Sequence, residues 1–180
     1  MENMNNLMQV NGKEYRIVKL LGKGKGGYSY LAKRSGEQYV LKQIHHEPCE
    51  YYQFGNKIEA EVNDYKRLLD IGIRMPQMID VDYDNERIVK EYIEGETVET
   101  LVKNGADVSA YIKQMQDMCL ELYKYNTNID YYPTNFVVRD EMIYYIDYEC
   151  NDYMDEWNFE NWGIKYWTAQ EELILDNCAD

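Results

Sequence analysis

Apolar and aromatic strand-forming side chains dominate three short runs in the first quarter of the chain, Tyr15 to Leu21, Tyr28 to Ala32 and Gln38 to Ile44. Runs of this length and composition are those of strands, and they are separated by a glycine-rich stretch and by Ser35-Gly36, both turn formers, so they predict an antiparallel meander. A helical period follows. Ile58, Val62, Tyr65, Leu68, Leu69 and Ile71 fall near the 3.6-residue spacing of an amphipathic helix, with Gly72 where a helix stop belongs. Two further strands are predicted at Gln77 to Tyr83 and Arg87 to Ile93, around an Asp84-Asn85 turn. After Gly95 the pattern changes again. A helix is predicted from Ser109 to Tyr125, with Ile112, Met115, Cys119 and Leu122 on one face and methionine as core filler. An irregular stretch, Asn126 to Thr134, leads to a hairpin, Phe136 to Val138 and Met142 to Ile146, turning at Arg139-Asp140-Glu141. Trp157, Trp162 and Trp167 are not spaced as one helical stripe and read as plugs over the second half. Thr168 to Glu171 has the capping-box form that starts a helix, here through Leu175. The fold class expected is α+β, with residues 1–94 as one domain and 95–180 as another.

Composition narrows the partners. A chain of 180 residues that is 45% hydrophobic can bury one substantial core or two small lobes without disulfides. Asp and Glu number 33 against 19 Lys and Arg, a formal charge of −14, so the surface as a whole repels nucleic acid and anionic lipid and any anionic ligand needs a local site. Cys49, Cys119, Cys150 and Cys178 form no C-x-x-C pair, which argues against zinc and against a disulfide scaffold and fits a reducing cytoplasm. Met1 to Gln9 is polar and lacks the apolar core of a signal peptide, and no apolar run reaches the roughly 18 to 20 residues of a membrane span. A soluble cytoplasmic protein is expected. The 19 tyrosines fall mostly in alternating stretches and read as half-buried strand packing.

The residues able to carry chemistry sit at the ends of these elements. Gly22-Lys-Gly24-Lys-Gly26-Gly27 joins two strands, and glycines there let backbone N–H groups approach phosphate oxygens, although a plain flexible hairpin has the same look. The dinucleotide-binding version of this pattern is excluded, because strand-type residues and not a helix follow it. Lys42 lies inside an apolar strand, its stem buried and its amine in need of an anion; the following helix offers Glu59 and Glu61, of which Glu61 shares a face with Tyr65 and Leu68. Asp130 and Asn135 stand five residues apart across a Pro-containing loop, where an acid can accept a hydroxyl proton and an amide carbonyl can ligate Mg²⁺. Asp147 emerges from the end of an apolar strand, a placement suited to metal binding. His45 and His46, adjacent at a strand end, point opposite ways and read as surface loop.

Gly22, Gly24, Gly27, Lys42, Glu61, Asp130, Asn135 and Asp147 resemble, in order and spacing, the elements of the protein-kinase superfamily, over roughly residues 15–150. Val89 to Gly95 resembles its hinge, where backbone groups from Glu91 to Ile93 would pair with an adenine edge. The resemblance implies a two-lobed fold, with an antiparallel-sheet lobe at 1–94 and a reduced, mostly helical lobe at 95–180. ATP would lie between them, its phosphates under the Gly22 to Gly27 turn and Lys42 on the α- and β-phosphates. Mg²⁺ would be held by Asn135 and Asp147, and Asp130 would orient the acceptor hydroxyl. Departures are informative: Asn128 stands where many kinases carry His, Tyr132 where a phosphate-neutralising Lys is usual, and Asp147-Tyr148-Glu149 replaces Asp-Phe-Gly. Lys23 and Lys25 could stand in for the missing Lys. These features look more like RIO-type kinases, lipopolysaccharide sugar kinases and aminoglycoside phosphotransferases than like signalling kinases. With 33 residues after Asp147 and no Ala-Pro-Glu, a peptide-docking platform is not expected. The implied activity is ATP- and Mg²⁺-dependent phosphoryl transfer to a hydroxyl of a small molecule or a specific protein partner. The alternatives are a conventional serine/threonine kinase and a nucleotide-binding pseudokinase.

Overall fold

The computed structural model describes residues 6–48 and 55–168, so Cys49, Cys178 and most of the helix expected from Thr168 to Leu175 lie outside the described residues. The chain divides into two compact units, one made of Met1–Asn63 with Pro76–Tyr92, the other of Asp64–Met75 with Ile93–Asp180. The architecture is mixed α+β, with four α-helices among the described residues.

The first unit is a six-stranded antiparallel sheet in the order β1-β2-β3-β4-β6-β5. Its strands are β1 (Leu7–Val10), β2 (Lys13–Lys23), β3 (Gly27–Arg34), β4 (Glu37–Ile44), β5 (Met78–Asp82) and β6 (Arg87–Glu91). No strand is predicted ahead of Tyr15, and β1 is found there. Leu7-Met8-Gln9-Val10 alternates, and Asn11-Gly12, with φ of 47° and 78°, makes the tight turn that folds β1 onto β2 in the register Val10↔Lys13. Ser35 and Gly36, at φ 53° and 79°, do the same between β3 and β4. Val10, Tyr15, Ala32, Leu41 and Val89 pack on one another, and Ile44, Ile58 and Ile88 form a second cluster. A clasp ties the two hairpins together. Buried Asp82 accepts the Asn11 N–H at 2.9 Å, the Asn85 N–H at 3.0 Å and Asn85 Nδ2 at 2.9 Å, while Asp80 takes Asn11 Nδ2 at 2.7 Å and Lys13 at 3.1 Å.

Helix α1 (Lys57–Ile71) begins in the first unit and ends in the second. Its start is set by Asn56, whose Oδ1 accepts the Glu59 N–H at 3.1 Å while its Nδ2 reaches Glu59 Oε2 at 3.2 Å, a reciprocal cap. Its end is set by Gly72 at φ 89°, with the Gly72 and Ile73 N–H groups both returning to Leu68 O.

The second unit holds β7 (Glu96–Thr97), α2 (Val98–Lys103), α3 (Ser109–Lys124), β8 (Thr127–Ile129), β9 (Phe136–Arg139), β10 (Met142–Tyr145), β11 (Cys150–Asp152) and α4 (Ile164–Thr168). Strands β10-β9-β7 form one small sheet and β11-β8 another. The β9–β10 hairpin turns where expected, with Asp140 and Glu141 at φ 51° and 62°. The stretch Asn126 to Thr134 is less irregular than its sequence suggests, since it contains β8 and the start of a 3₁₀ turn, Pro133–Asn135. Leu68, Met115, Cys119, Leu122, Phe136, Tyr145, Phe159 and Trp167 share one core. Arg67 of α1 is tied in by its guanidinium, which donates to Thr127 Oγ1, Asn126 O and Asp152 Oδ1 at 2.9 to 3.1 Å. Of the three tryptophans Trp167 is a plug at 1% exposure, Trp162 packs partly on the core, and Trp157 is not a plug, being 51% exposed. Thr168 lies in the last turn of α4 that the structure describes, its hydroxyl donating back to Ile164 O at 3.2 Å. No helix among the described residues is long and apolar enough to cross a membrane.

Candidate functional site

In the first unit the glycine turn and Lys42 come together. The turn is closed by Gly24 N–H on Gly27 O at 2.9 Å. Gly27 has no room for a side chain, because a Cβ there would collide with the Gln43 carbonyl of β4, and a Cβ on Gly26 would stand 3.8 Å from Lys42 Nζ. A Cβ on Gly22 would face open space, and one on Gly24 would meet only the Gly27 carbonyl, at 4.0 Å. Lys42 lies opposite Ser29 and Ile88 in the sheet, its amine mostly buried, and donates to Glu61 Oε2 at 2.7 Å. Glu59 is engaged instead at the N-cap of α1, so the helix geometry separates the two acids the sequence offered. Glu61 Oε1 is buried with no hydrogen-bond partner among the described residues. A carboxylate held this way, half satisfied by one ammonium, is a costly arrangement that stability alone does not call for.

The turn is also held from the side. His45 accepts the Glu47 N–H on Nδ1 at 3.3 Å, which puts its proton on Nε2, 2.9 Å from Gly24 O. Lys57 donates to His45 O at 2.6 Å. His45 is thus part of the turn's support and not an idle loop residue; His46 does face outward, against Glu86 at 2.6 Å. Lys23 pairs with Glu47 at 2.6 Å and lies over the Tyr28 ring, and that hydrogen bond holds the Glu47 carboxyl below its ordinary pKa. Lys23 is therefore already neutralised, which weighs against its standing in for a missing basic residue. Glu91 N–H donates to Gln77 O at 2.9 Å, and Gln77 N–H returns to Glu91 Oε2 at 3.2 Å.

In the second unit Asp130 follows β8, Asn135 ends the 3₁₀ turn that leads into β9, and Asp147 lies just beyond β10. All three are half-buried, whereas Ile93 is buried at 5% exposure. Asn135 Nδ2 donates to Asp130 O at 3.3 Å, which sets the rotation of the amide, and Ile146 N–H donates to Asn135 O at 2.9 Å. That last bond extends the β9–β10 ladder by one step, to the residue before Asp147. Asp130 Oδ1 accepts the Tyr132 N–H at 3.1 Å, and Asp147 Oδ1 the Glu149 N–H at 3.4 Å.

Three residues whose roles the sequence did not reveal hold this loop. Tyr145 is fully buried, and its hydroxyl accepts the Asp130 N–H at 3.3 Å and donates to Glu149 O at 2.7 Å, so one oxygen joins the Asp130 loop to the segment after Asp147. Burial pushes its pKa far up, which keeps that proton in place. Asn128, noted above only as a departure, accepts the Tyr131 hydroxyl at 3.0 Å and donates to Met154 O at 3.0 Å. Trp167 Nε1 donates to Tyr131 O at 2.8 Å. Tyr148, next to Asp147, is buried against Tyr65 with ring centroids 4.8 Å apart. Neither described cysteine of this unit offers a nucleophilic sulfur: burial pushes the Cys119 and Cys150 thiols up to about 12.

The donors at Asn135 and Asp147 are oxygens, the type Mg²⁺ takes, and Mg²⁺ keeps several waters and needs only one or two protein carboxylates. No cluster of three His, Cys, Asp or Glu side chains suited to a closed metal cage occurs among the described residues. No family model matches the chain, and no curated protein matches it either. Function is to be read from the chemistry of these side chains.

Proposed function

We propose that the chain is an ATP- and Mg²⁺-dependent phosphotransferase of protein-kinase-like fold that transfers the γ-phosphoryl group of ATP to a hydroxyl acceptor. The observation that carries this reading is the buried Lys42–Glu61 pair with Gly26 of the glycine turn beside the lysine amine. A lysine fixed by an internal acid, next to backbone that side chains leave uncovered, suits the holding of phosphate oxygens. In the first unit Lys42 would neutralise the α- and β-phosphates, Gly22, Gly24 and Gly27 would let the backbone close on them, and the Glu91 carbonyl would read an adenine edge. The Glu91 N–H is already given to Gln77. In the second unit Asn135 and Asp147 would hold Mg²⁺, which when bound neutralises charge on the phosphate oxygens. Asp130 would orient the acceptor hydroxyl and take its proton as the new P–O bond forms and the bond to the ADP oxygen breaks.

The acceptor is a small hydroxyl compound or one specific protein surface. Directly after Asp147 the chain enters β11, the turns at 155–163 and α4, and these support the Asp130 loop, so residues that would otherwise form a peptide platform are used structurally. A pseudokinase is the second reading, favoured by one observation: Tyr132 occupies the usual basic position and Lys23 is spoken for by Glu47.

Isothermal titration is the test. Mg²⁺-dependent ATP binding is expected, lost or weakened at least about tenfold in Lys42→Ala and in Asp147→Ala; unchanged affinity in both folded variants would overturn the site. Asp130→Asn should keep nucleotide affinity while cutting turnover by about 10² or more. Tight binding with no transfer to any acceptor by the unaltered protein selects the pseudokinase.

A further inference from the structure

Positive charge gathers on one part of the first unit's sheet, although the chain as a whole carries a formal charge of −14. Leu7, Arg16, Lys33 and Gln38 are paired one to the next across β1, β2, β3 and β4, so their side chains form a row on one face. The other face, with Tyr15, Ala32 and Tyr39, packs into the core. Arg16 and Lys33 thus stand directly opposite each other, and like charges so placed destabilise a sheet. Nothing nearby offsets them. Arg16, Lys33 and the adjoining Arg34 make no ion pair or hydrogen bond among the described residues.

The row borders a shallow hollow of about 580 Å³ between the tips of two hairpins, at Gly12 and Ser35. Lys13 on its rim is neutralised by Asp80 at 3.1 Å, and the Arg34 guanidinium rests 5.8 Å from the Tyr15 ring centroid. The one acid on the lining, Glu14, lies a row away, opposite Gln9. One end of the row is apolar, since Leu7 is 58% exposed.

These features select among anions. The field of an acidic chain repels long polyanions and anionic surfaces, so a patch one row wide favours a short ligand over nucleic acid or lipid. Three strand spacings, about 14 Å in all, match four or five residues of extended peptide. Carboxylates suit a guanidinium fork beside an ammonium, and an apolar neighbour would cover Leu7. We propose that the row from Leu7 through Arg16 and Lys33 to Gln38 is a docking surface for an acidic peptide segment of a partner protein, its carboxylates over Arg16 and Lys33 and an apolar side chain on Leu7. The inference does not rest on the phosphotransferase reading.

The test uses the full chain at fixed ionic strength, with the N-acetylated, C-amidated pentapeptide Leu-Glu-Glu-Glu-Gly as probe and the same peptide with glutamine for each glutamate as control. The backbone amide resonances of Leu7, Arg16 and Lys33 are expected to shift saturably with the acidic peptide and not with its control. Arg16→Gln and Lys33→Gln should each weaken binding about two- to fivefold, the range for exposed ion pairs, while Lys42→Ala leaves it unchanged. Lys33→Gln also relieves the like-charged pair and should melt no lower than the unaltered protein. A clearly lower melting temperature would give Lys33 a structural role and overturn the proposal. So would equal shifts with the glutamine peptide, no saturable shift, or binding that ignores Arg16 and Lys33 and depends on Lys42 instead. A short DNA duplex and phosphatidylglycerol vesicles run alongside; tighter binding of either at the same residues replaces the peptide with a polyanion. Shifts that grow with protein concentration in the absence of peptide assign the row to a second copy of the chain, which overturns the proposal as well.

Discussion

A tyrosine hydroxyl buried among apolar side chains needs both a donor and an acceptor, and Tyr145 finds them in the Asp130 loop and in Glu149, two residues after Asp147. Tyr145→Phe removes that one oxygen and leaves a backbone N–H and a carbonyl each short of a partner. A loss of about 1–3 kcal/mol in stability follows from the unmet groups. If the hydroxyl also positions Asp130, turnover should fall about 10- to 100-fold with less than about a threefold change in nucleotide affinity, since small misplacements of reacting groups are expensive. Calorimetric titration and turnover, both measured well below the variant's melting point, separate the two effects; turnover equal to the unaltered protein's there would reduce Tyr145 to a structural role. Residues of this kind explain what was and was not legible at this scale. Lys42 and Glu61 could be paired from the pleat of a strand and the face of a helix, which are local periodicities. The partner of a buried hydroxyl is chosen by packing between distant segments, so Tyr145 showed only as one of many half-buried strand tyrosines, and Trp167 only as a plug.

Elements with their own boundary signals were readable, and short ones were not. Helix α1 carries an apolar stripe, a cap at Asn56 and a stop at Gly72, and its predicted and observed spans differ by one residue at the start. Helix α2, six residues capped by the Thr97 side chain on the Thr100 N–H, is too short to show a period, and β8 and β11 owe their pairing to each other. Strand β1 was hidden by a polar neighbourhood, although Asn11-Gly12 announces its hairpin. What keeps that hairpin in place is the Asp82 clasp, and it has a pH signature. The Asn11 N–H, the Asn85 side chain and the Asn85 N–H hold the Asp82 carboxyl down at about 2, against about 3.9 in an unfolded chain. The folded state therefore binds fewer protons than the unfolded one between these values. Its stabilisation is complete above about pH 4 to 5 and is lost as pH falls toward 2. Asp82→Ala should cost about 1–3 kcal/mol at pH 7 and flatten the acid limb of the stability curve. Urea melts of both proteins from pH 7 to pH 2.5 provide the measurement; parallel acid limbs would rule out the clasp as the sensor.

For the molecule as a whole, even if every one of the 19 basic side chains were paired, 14 of the 33 acidic ones would remain uncompensated. Salt then acts in two opposing ways. It weakens exposed ion pairs such as Lys113–Asp117 and Lys124–Glu121, each worth about 0–1 kcal/mol, and it screens the repulsion among the excess carboxylates. Repulsion involves every surplus charge at once and should win. Raising NaCl from about 10 mM to about 100 mM, which shortens the Debye length from about 30 Å to about 10 Å, is expected to raise the melting temperature at pH 7. A gain of about 1 kcal/mol corresponds to about 2–4 °C for a chain of this size. The gain should shrink near pH 5 as carboxylates begin to protonate. A melting temperature that falls with NaCl would mean that local pairs dominate and that general repulsion is not limiting. The same experiment bears on the glycine turn, because screening by chloride is not specific to any one residue. Sodium phosphate at matched ionic strength should raise the melting temperature beyond NaCl if an anion is held at Lys42 and the Gly22 to Gly27 backbone, and the excess should vanish in Lys42→Ala. An excess that survives in Lys42→Ala is a general effect of the phosphate ion and removes Lys42 as its seat.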